Sequence, residues 1–204
     1  MLVDSLAEKI HAFWFGEIGE NGLCDAEKSS AWFEKDDCFD RLMEREFGDF
    51  LSSVHSGALD GMDQTPRGAL ALIVLTDQFP RNIHRGRPES FAFDSFALAV
   101  CRKGIGKGFD SLLAPPERVF FYLPLMHSES FAIQKISVKT FTSLAEDFRE
   151  VPEVFKTLNH SVDFARRHFD IIEQFGRYPH RNKILGREST PEEIEFLKQP
   201  GSSF

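Results

Sequence analysis

Four prolines stand at the heads of segments whose apolar residues run together or recur three and four apart: Pro66, Pro115, Pro152 and Pro191. Proline has a fixed φ and no N–H, so it suits the first turn of a helix and disrupts the interior of one. Thr65 ahead of Pro66 and Thr190 ahead of Pro191 supply hydroxyl caps, and Glu193 completes a capping box with Thr190. Chain entry is therefore written as helix entry along most of the sequence.

The remaining pattern agrees. Val3, Leu6, Ala7, Ile10 and Trp14 line one face of a first helix that ends near Phe15-Gly16. A glycine-bearing loop follows from Glu17 to Leu23, then a short helix over 26–33 with Trp32-Phe33 at its apolar end. Asp36 or Asp37 caps a helix carrying Phe39, Leu42, Met43, Phe47, Phe50 and Leu51. Residues 69–75 are apolar on every side, a pattern shared by a buried strand and a central helix; the Thr65-Pro66 start favours the helix, which Pro80 should stop. Further helices are expected over 88–107, from Pro115 until Pro124 kinks or ends it, over 129–148 with Ile133, Ile136, Leu144 and Phe148 inward, from Pro152 to a Gly176 cap, and from Thr190 to Leu197. No hairpin signal is present. The expected fold is all-α: antiparallel helices in one compact domain, 1–204, with residues 199–204 a C-terminal tail.

With 204 residues, 42% hydrophobic content and 22 Phe, such a domain has material for a wide aromatic core. The formal charge of −8 disfavours a nucleic acid or an anionic membrane as partner. Its distribution is uneven. Residues 17–49 hold 11 acids against 4 bases, whereas 166–187 hold 6 bases against 2 acids. Either the two regions pair across the fold, or some arginines are left for an anionic ligand. Cys24, Cys38 and Cys101 form neither a disulfide framework nor a ligand spacing, and no signal peptide or membrane-length apolar run is seen. A cytoplasmic protein is expected.

One feature has no place in a generic helical protein. Arg81-Asn82-Ile83-His84-Arg85-Gly86-Arg87 and Arg181-Asn182-Lys183-Ile184-Leu185-Gly186-Arg187 share an Arg-Asn-x-x-x-Gly-Arg frame, each entered through an aromatic and a proline: Phe79-Pro80 and Tyr178-Pro179. Arginine and asparagine together suit a carboxylate or phosphate, the first as a charged planar fork and the second as a short, direction-sensitive donor. The same residues also suit a purely structural elbow, with Asn as cap and Gly as stop. If the elbows converge, Asp77, Gln78, Arg81, Asn82, His127, Glu129, Arg177, His180, Arg181 and Asn182 form one polar site. His127 with Glu129, or His180 with Asp77, would then be the acid–base candidates. His168, beside an apolar stripe, reads as a core residue. No nucleophile elbow, glycine-rich phosphate loop or metal signature is found, so neither a metal nor a cofactor is expected, and catalytic residues stay unassigned.

The motifs Phe13-Trp14-Phe15-Gly16, Asp77-Gln78-Phe79-Pro80-Arg81-Asn82, Tyr122-Leu123-Pro124-Leu125-Met126-His127-Ser128-Glu129 and Gly176-Arg177-Tyr178-Pro179-His180-Arg181-Asn182 have a further use. Through them the chain resembles, nearly end to end, a bacterial family known as a domain of unknown function within the tetratricopeptide-like helical superfamily. The resemblance implies a tetratricopeptide-like helical array and carries no activity with it. Two functions are weighed: a pocket for a small anionic molecule, or a module that binds a protein or peptide.

Overall fold

A computed structural model describes residues 2–32 and 34–203 of the chain. Its elements are α1 (Leu2–Trp14), α2 (Ala26–Ala31), α3 (Asp37–Ser52), α4 (Pro66–Ile73), α5 (Phe79–Ile83), α6 (Asp94–Gly106), α7 (Pro115–His127), α8 (Phe131–Asp147), α9 (Pro152–Phe175) and α10 (Pro191–Phe196), with short 3₁₀ turns between several of them. Among the described residues the only extended pairing is an isolated antiparallel bridge between Ile18 and Cys24. The fold is all-α. Phe33, expected at the end of α2, lies outside the described residues.

The cap chemistry sets the starts. Asp36, rather than Asp37, accepts from the N–H groups of Cys38 and Phe39. The Thr65 hydroxyl accepts from Gly68, and Thr190 and Glu193 close a reciprocal capping box. Gly176 ends α9 at φ 69°, a left-handed value that glycine adopts without strain.

Residues 68–78 are buried on all sides, and α1, α3, α6 and α7 pack around this stretch or its continuation. An evenly apolar helix must be central. Pro80 does not stop it. Helical winding widens into a π turn over Val74–Gln78 and resumes as α5, so Pro80 sits in a first turn, where its missing N–H leaves no bond broken. Pro124 likewise lies within α7, which runs on to His127. The segment expected as one helix over 88–107 divides into a 3₁₀ turn, Pro88–Phe91, and α6.

One apolar cluster reaches from Leu6 to Ala165 and gathers the aromatic rings: Phe13 against Phe39, Phe47 and Phe79, and Trp14 and Phe15 against Phe120. α8 and α9 pack along each other beside α7. The inward face of α8 carries Gln134, Ser137, Phe141, Leu144 and Ala145, leaving Ile136 45% exposed, contrary to expectation. Its rotation follows from Gln134, whose amide is drawn inward to the end of α7. A smaller cluster of Ile171, Ile172 and Tyr178 holds the second elbow. The segment expected as a tail turns back instead: Ser202 is buried and its hydroxyl donates to the Leu197 carbonyl. No described helix is long and apolar enough to cross a membrane.

Candidate functional site

Because the central helix is buried all round, its polar residues are carried into the interior. Asp77 is 0% exposed, and it lies in the π turn, a distortion that often accompanies function. Its carboxylate meets His127 Nδ1 at 2.8 Å and accepts from the Gln78 amide, with Arg81 Nη1 3.7 Å away. Burial alone would push this carboxyl up; the Arg81 charge and the hydrogen bonds from His127 and Gln78 outweigh it and hold Asp77 well below the usual carboxylate range. Asp77 is therefore ionised, and Nδ1 of His127 carries the hydrogen between them.

His127 is the last residue of α7, and its position is fixed from behind. The amide hydrogens of Gln134 reach the Met126 and Ser128 carbonyls at 2.7 and 2.6 Å, and the Tyr178 hydroxyl donates to Met126. These bonds satisfy carbonyls that a helix end leaves open. Burial, then the Arg81 charge, lowers the His127 pKa against the pull of Asp77, so the ring is neutral. With Nδ1–H on Asp77, Nε2 presents a lone pair. No described residue bonds it, and the side chain keeps 14% exposure.

Above this dyad the two elbows meet. Arg81 Nη1 donates to one oxygen of Asp94 at 2.9 Å and Arg181 Nη1 to the other at 3.1 Å. Arg181 Nη2 also donates to the His127 carbonyl, and its guanidinium lies between the rings of Phe91 and Tyr178, 4.5 and 4.6 Å from their centroids. Such stacking suits a poorly hydrated planar cation. Asp77 and Asp94 balance Arg81 and Arg181, so the cluster is close to neutral.

The asparagines go elsewhere. Asn82 donates to Asp40 of α3, where Arg85 joins it. Asn182 donates to Ser189 and Glu193, and Arg177 grips both oxygens of Glu193, at 2.7 and 2.8 Å. Arg177 and nearby donors hold Glu193 down to about 2. Glu129 takes both Arg187 and the Tyr178 N–H. Thus Asp77, Gln78, Arg81, His127 and Arg181 come together; Glu129 ties the second elbow to the start of α8; and Asn82, Arg177 and Asn182 hold the elbows to α3 and α10. His180 packs on Tyr178, its ring pushed down to about 4 by burial and then by Arg181. His168 packs between His127 and Tyr178, and its Nδ1–H donates to the Phe164 carbonyl. The elbows share their glycine geometry: Gly86 and Gly186 stand at φ 77° and 66°.

The basic stretch does not pair with the acidic one. Arg177, Arg181 and Arg187 find Glu193, Asp94 and Glu129, not the acidic stretch 17–49. Asp94, Gln134, Tyr178 and Arg187 complete the site, although sequence reasoning did not select them. The signal available for Asp94 was indirect: two facing arginines need a carboxylate between them. Among the described residues no cluster of three His, Cys, Asp or Glu side chains is placed to hold a metal.

A family model described as "Bacterial protein of unknown function (DUF924)" matches residues 10–201. The chain belongs to this family. It is similar to a solved protein of unknown function, ATU0120 from Agrobacterium tumefaciens, at 35% identity and a TM-score of 0.75, over 96% of this chain and 98% of that one. The match with the family model takes in the dyad and both elbows. No curated protein matches the chain.

Proposed function

We propose that the protein binds the oxyanion of a small acid, a carboxylate or a phosphate, together with one proton taken up by His127. The observation that carries this reading is the orientation of His127: Nδ1 is committed to buried Asp77, and Nε2 is accessible without a partner. Such a ring accepts a proton on Nε2 and then donates it to a ligand oxygen, with Asp77 stabilising the imidazolium. Coupled uptake also fits the charge balance. An anion alone would add a negative charge to a neutral cluster; an anion with a proton would not. Arg81 Nη2 and Arg181 Nε are buried without an acceptor, so the cluster holds more donors than its own carboxylates use.

The test is calorimetric titration with acetate, succinate and inorganic phosphate in two buffers of different ionisation enthalpy. Binding with close to one proton taken up, lost in His127→Gln, supports the reading. Binding that survives His127→Gln unchanged, or no binding of any probe, overturns it. The second possibility, an interaction module of tetratricopeptide-like type, would be favoured if the full chain retained one stoichiometric protein partner while binding none of the acids.

A further inference from the structure

On another part of the molecule an open cleft of about 580 Å³ lies between the end of α1, the loop after it and the starts of α4 and α7. That volume is within the usual range for small-ligand sites. His11, Glu17, Arg67 and Glu117 line it. We propose that this cleft binds a small zwitterion carrying an ammonium and a carboxylate, of which α-amino acids are the simplest class, with Arg67 taking the carboxylate and Glu17 the ammonium.

The floor is a buried pair. His11 Nε2 and Glu117 Oε1 are 2.7 Å apart, and Oε2 accepts from the Ala114 N–H. Burial would raise the Glu117 pKa, but the His11 bond and the Ala114 N–H outweigh it and hold the carboxyl down. Glu117 is thus an ionised acceptor, and Nε2 of His11 carries the hydrogen it takes. It follows that Arg67 Nη2, 3.4 Å from the same nitrogen, has no lone pair to donate to there. Its other terminal nitrogen holds only Glu8, in a pair whose side chains are 48% and 62% exposed. Exposed pairs of this kind contribute little, so a bidentate ligand carboxylate can displace Glu8 at small cost.

The opposite charge comes from Glu17, which has no hydrogen-bond or ion-pair partner among the described residues. The loop presenting it is pinned by the Ile18–Cys24 bridge and by the Gly19 N–H on the Leu23 carbonyl. A simple anion would face Glu17 and Glu117, and a simple cation would face Arg67. A zwitterion meets neither conflict, and neither set of contacts draws on Asp77, His127 or Asp94.

The experiment is an amide-resolved NMR titration of the full chain with the L-amino acids, each compared with its N-acetyl and its carboxamide derivative. We expect saturable shifts at the Gly16, Ile18 and Ala114 amides with at least one free amino acid, weakened at least tenfold for both derivatives. Arg67→Gln and Glu17→Gln, both at exposed positions, should each abolish those shifts, and His127→Gln should leave them intact. No response at these amides, or a response that persists in both variants or equally with the blocked derivatives, would overturn the proposal. Since the acid-uptake reading is tested by His127→Gln, the two can fail separately.

Discussion

Arg81 and Arg181, equivalent positions of a motif written twice, hold the two oxygens of one carboxylate, that of Asp94. Without that carboxylate two largely buried guanidinium groups would face each other at close range, each inside the repulsive field of the other.

Replacing Asp94 by Asn keeps the shape and removes the charge. Deleting one partner of these part-buried pairs leaves both arginines poorly compensated, so Asp94→Asn should destabilise the fold by up to the loss of a fully buried pair, about 3–5 kcal/mol. Urea denaturation measures this directly. A loss below about 1 kcal/mol, the level of exposed pairs, would mean that the brace contributes little.

His168 makes stability depend on pH. Burial, then the neighbouring His127, pushes its ring from 6.5 down to about 3. The folded state therefore refuses a proton that the unfolded chain accepts. Its contribution is fully present above pH 6.5 and is lost as pH falls from there toward 3, to a total on the order of 5 kcal/mol. His168→Gln should show a shallower fall in denaturation midpoint between pH 7 and pH 4 than the wild type. Parallel profiles would remove His168 as the cause.

Glu193 is 2% exposed and collects Arg177, Asn182 and the Thr190 N–H. Glu193→Gln cannot keep both Arg177 bonds, and hydrogen bonds to charged groups are worth about 1.5–3 kcal/mol each. The expected result is local: hydrogen exchange should accelerate in α10 and the second elbow, while the amides of α4 and α7 keep their protection. Uniform acceleration throughout would show that α10 and the core open as one unit.

Gly104 lets α6 approach α7. A Cβ there would stand only 2.4 Å from the Phe121 ring. Gly104→Ala should cost about 1–3 kcal/mol, as overpacking does. Phe121→Leu in the same chain should recover part of that loss, which a double-mutant cycle by thermal melting would detect.

The starts of the helices were legible because caps and N1 prolines act within one turn: Thr65-Pro66 and Thr190-Pro191-Glu193 behave as local chemistry requires. Residues 69–75 could be placed at the centre because no face of them is polar. Their continuation through Pro80 could not be foreseen, since an ordinary α-helix excludes an interior proline and a π turn has no apolar signature of its own. At the site, the repeated frame left open whether the two elbows meet; in the fold Arg81 and Arg181 share Asp94, while Asn82 and Asn182 turn to other partners. Those side chains are too short to follow the arginines and settle on whatever acid the neighbouring helix offers, Asp40 in one case and Glu193 in the other. Asp94 escaped notice because an aspartate at a helix start is ordinary; its importance comes from groups 13 and 87 residues away.

A π turn is, in effect, a helix with one residue more than its pitch requires. The wide turn over Val74–Gln78 absorbs that residue, so the helix on its two sides keeps its facing. Deleting one residue between Val74 and Thr76 would let the segment close to regular winding with Arg81 still turned toward Asp94. Without the wide turn, the same surplus residue would swing Arg81 by about 100° about the axis, away from Asp94. The π turn thus keeps the brace in register along a stretch one residue longer than regular winding needs.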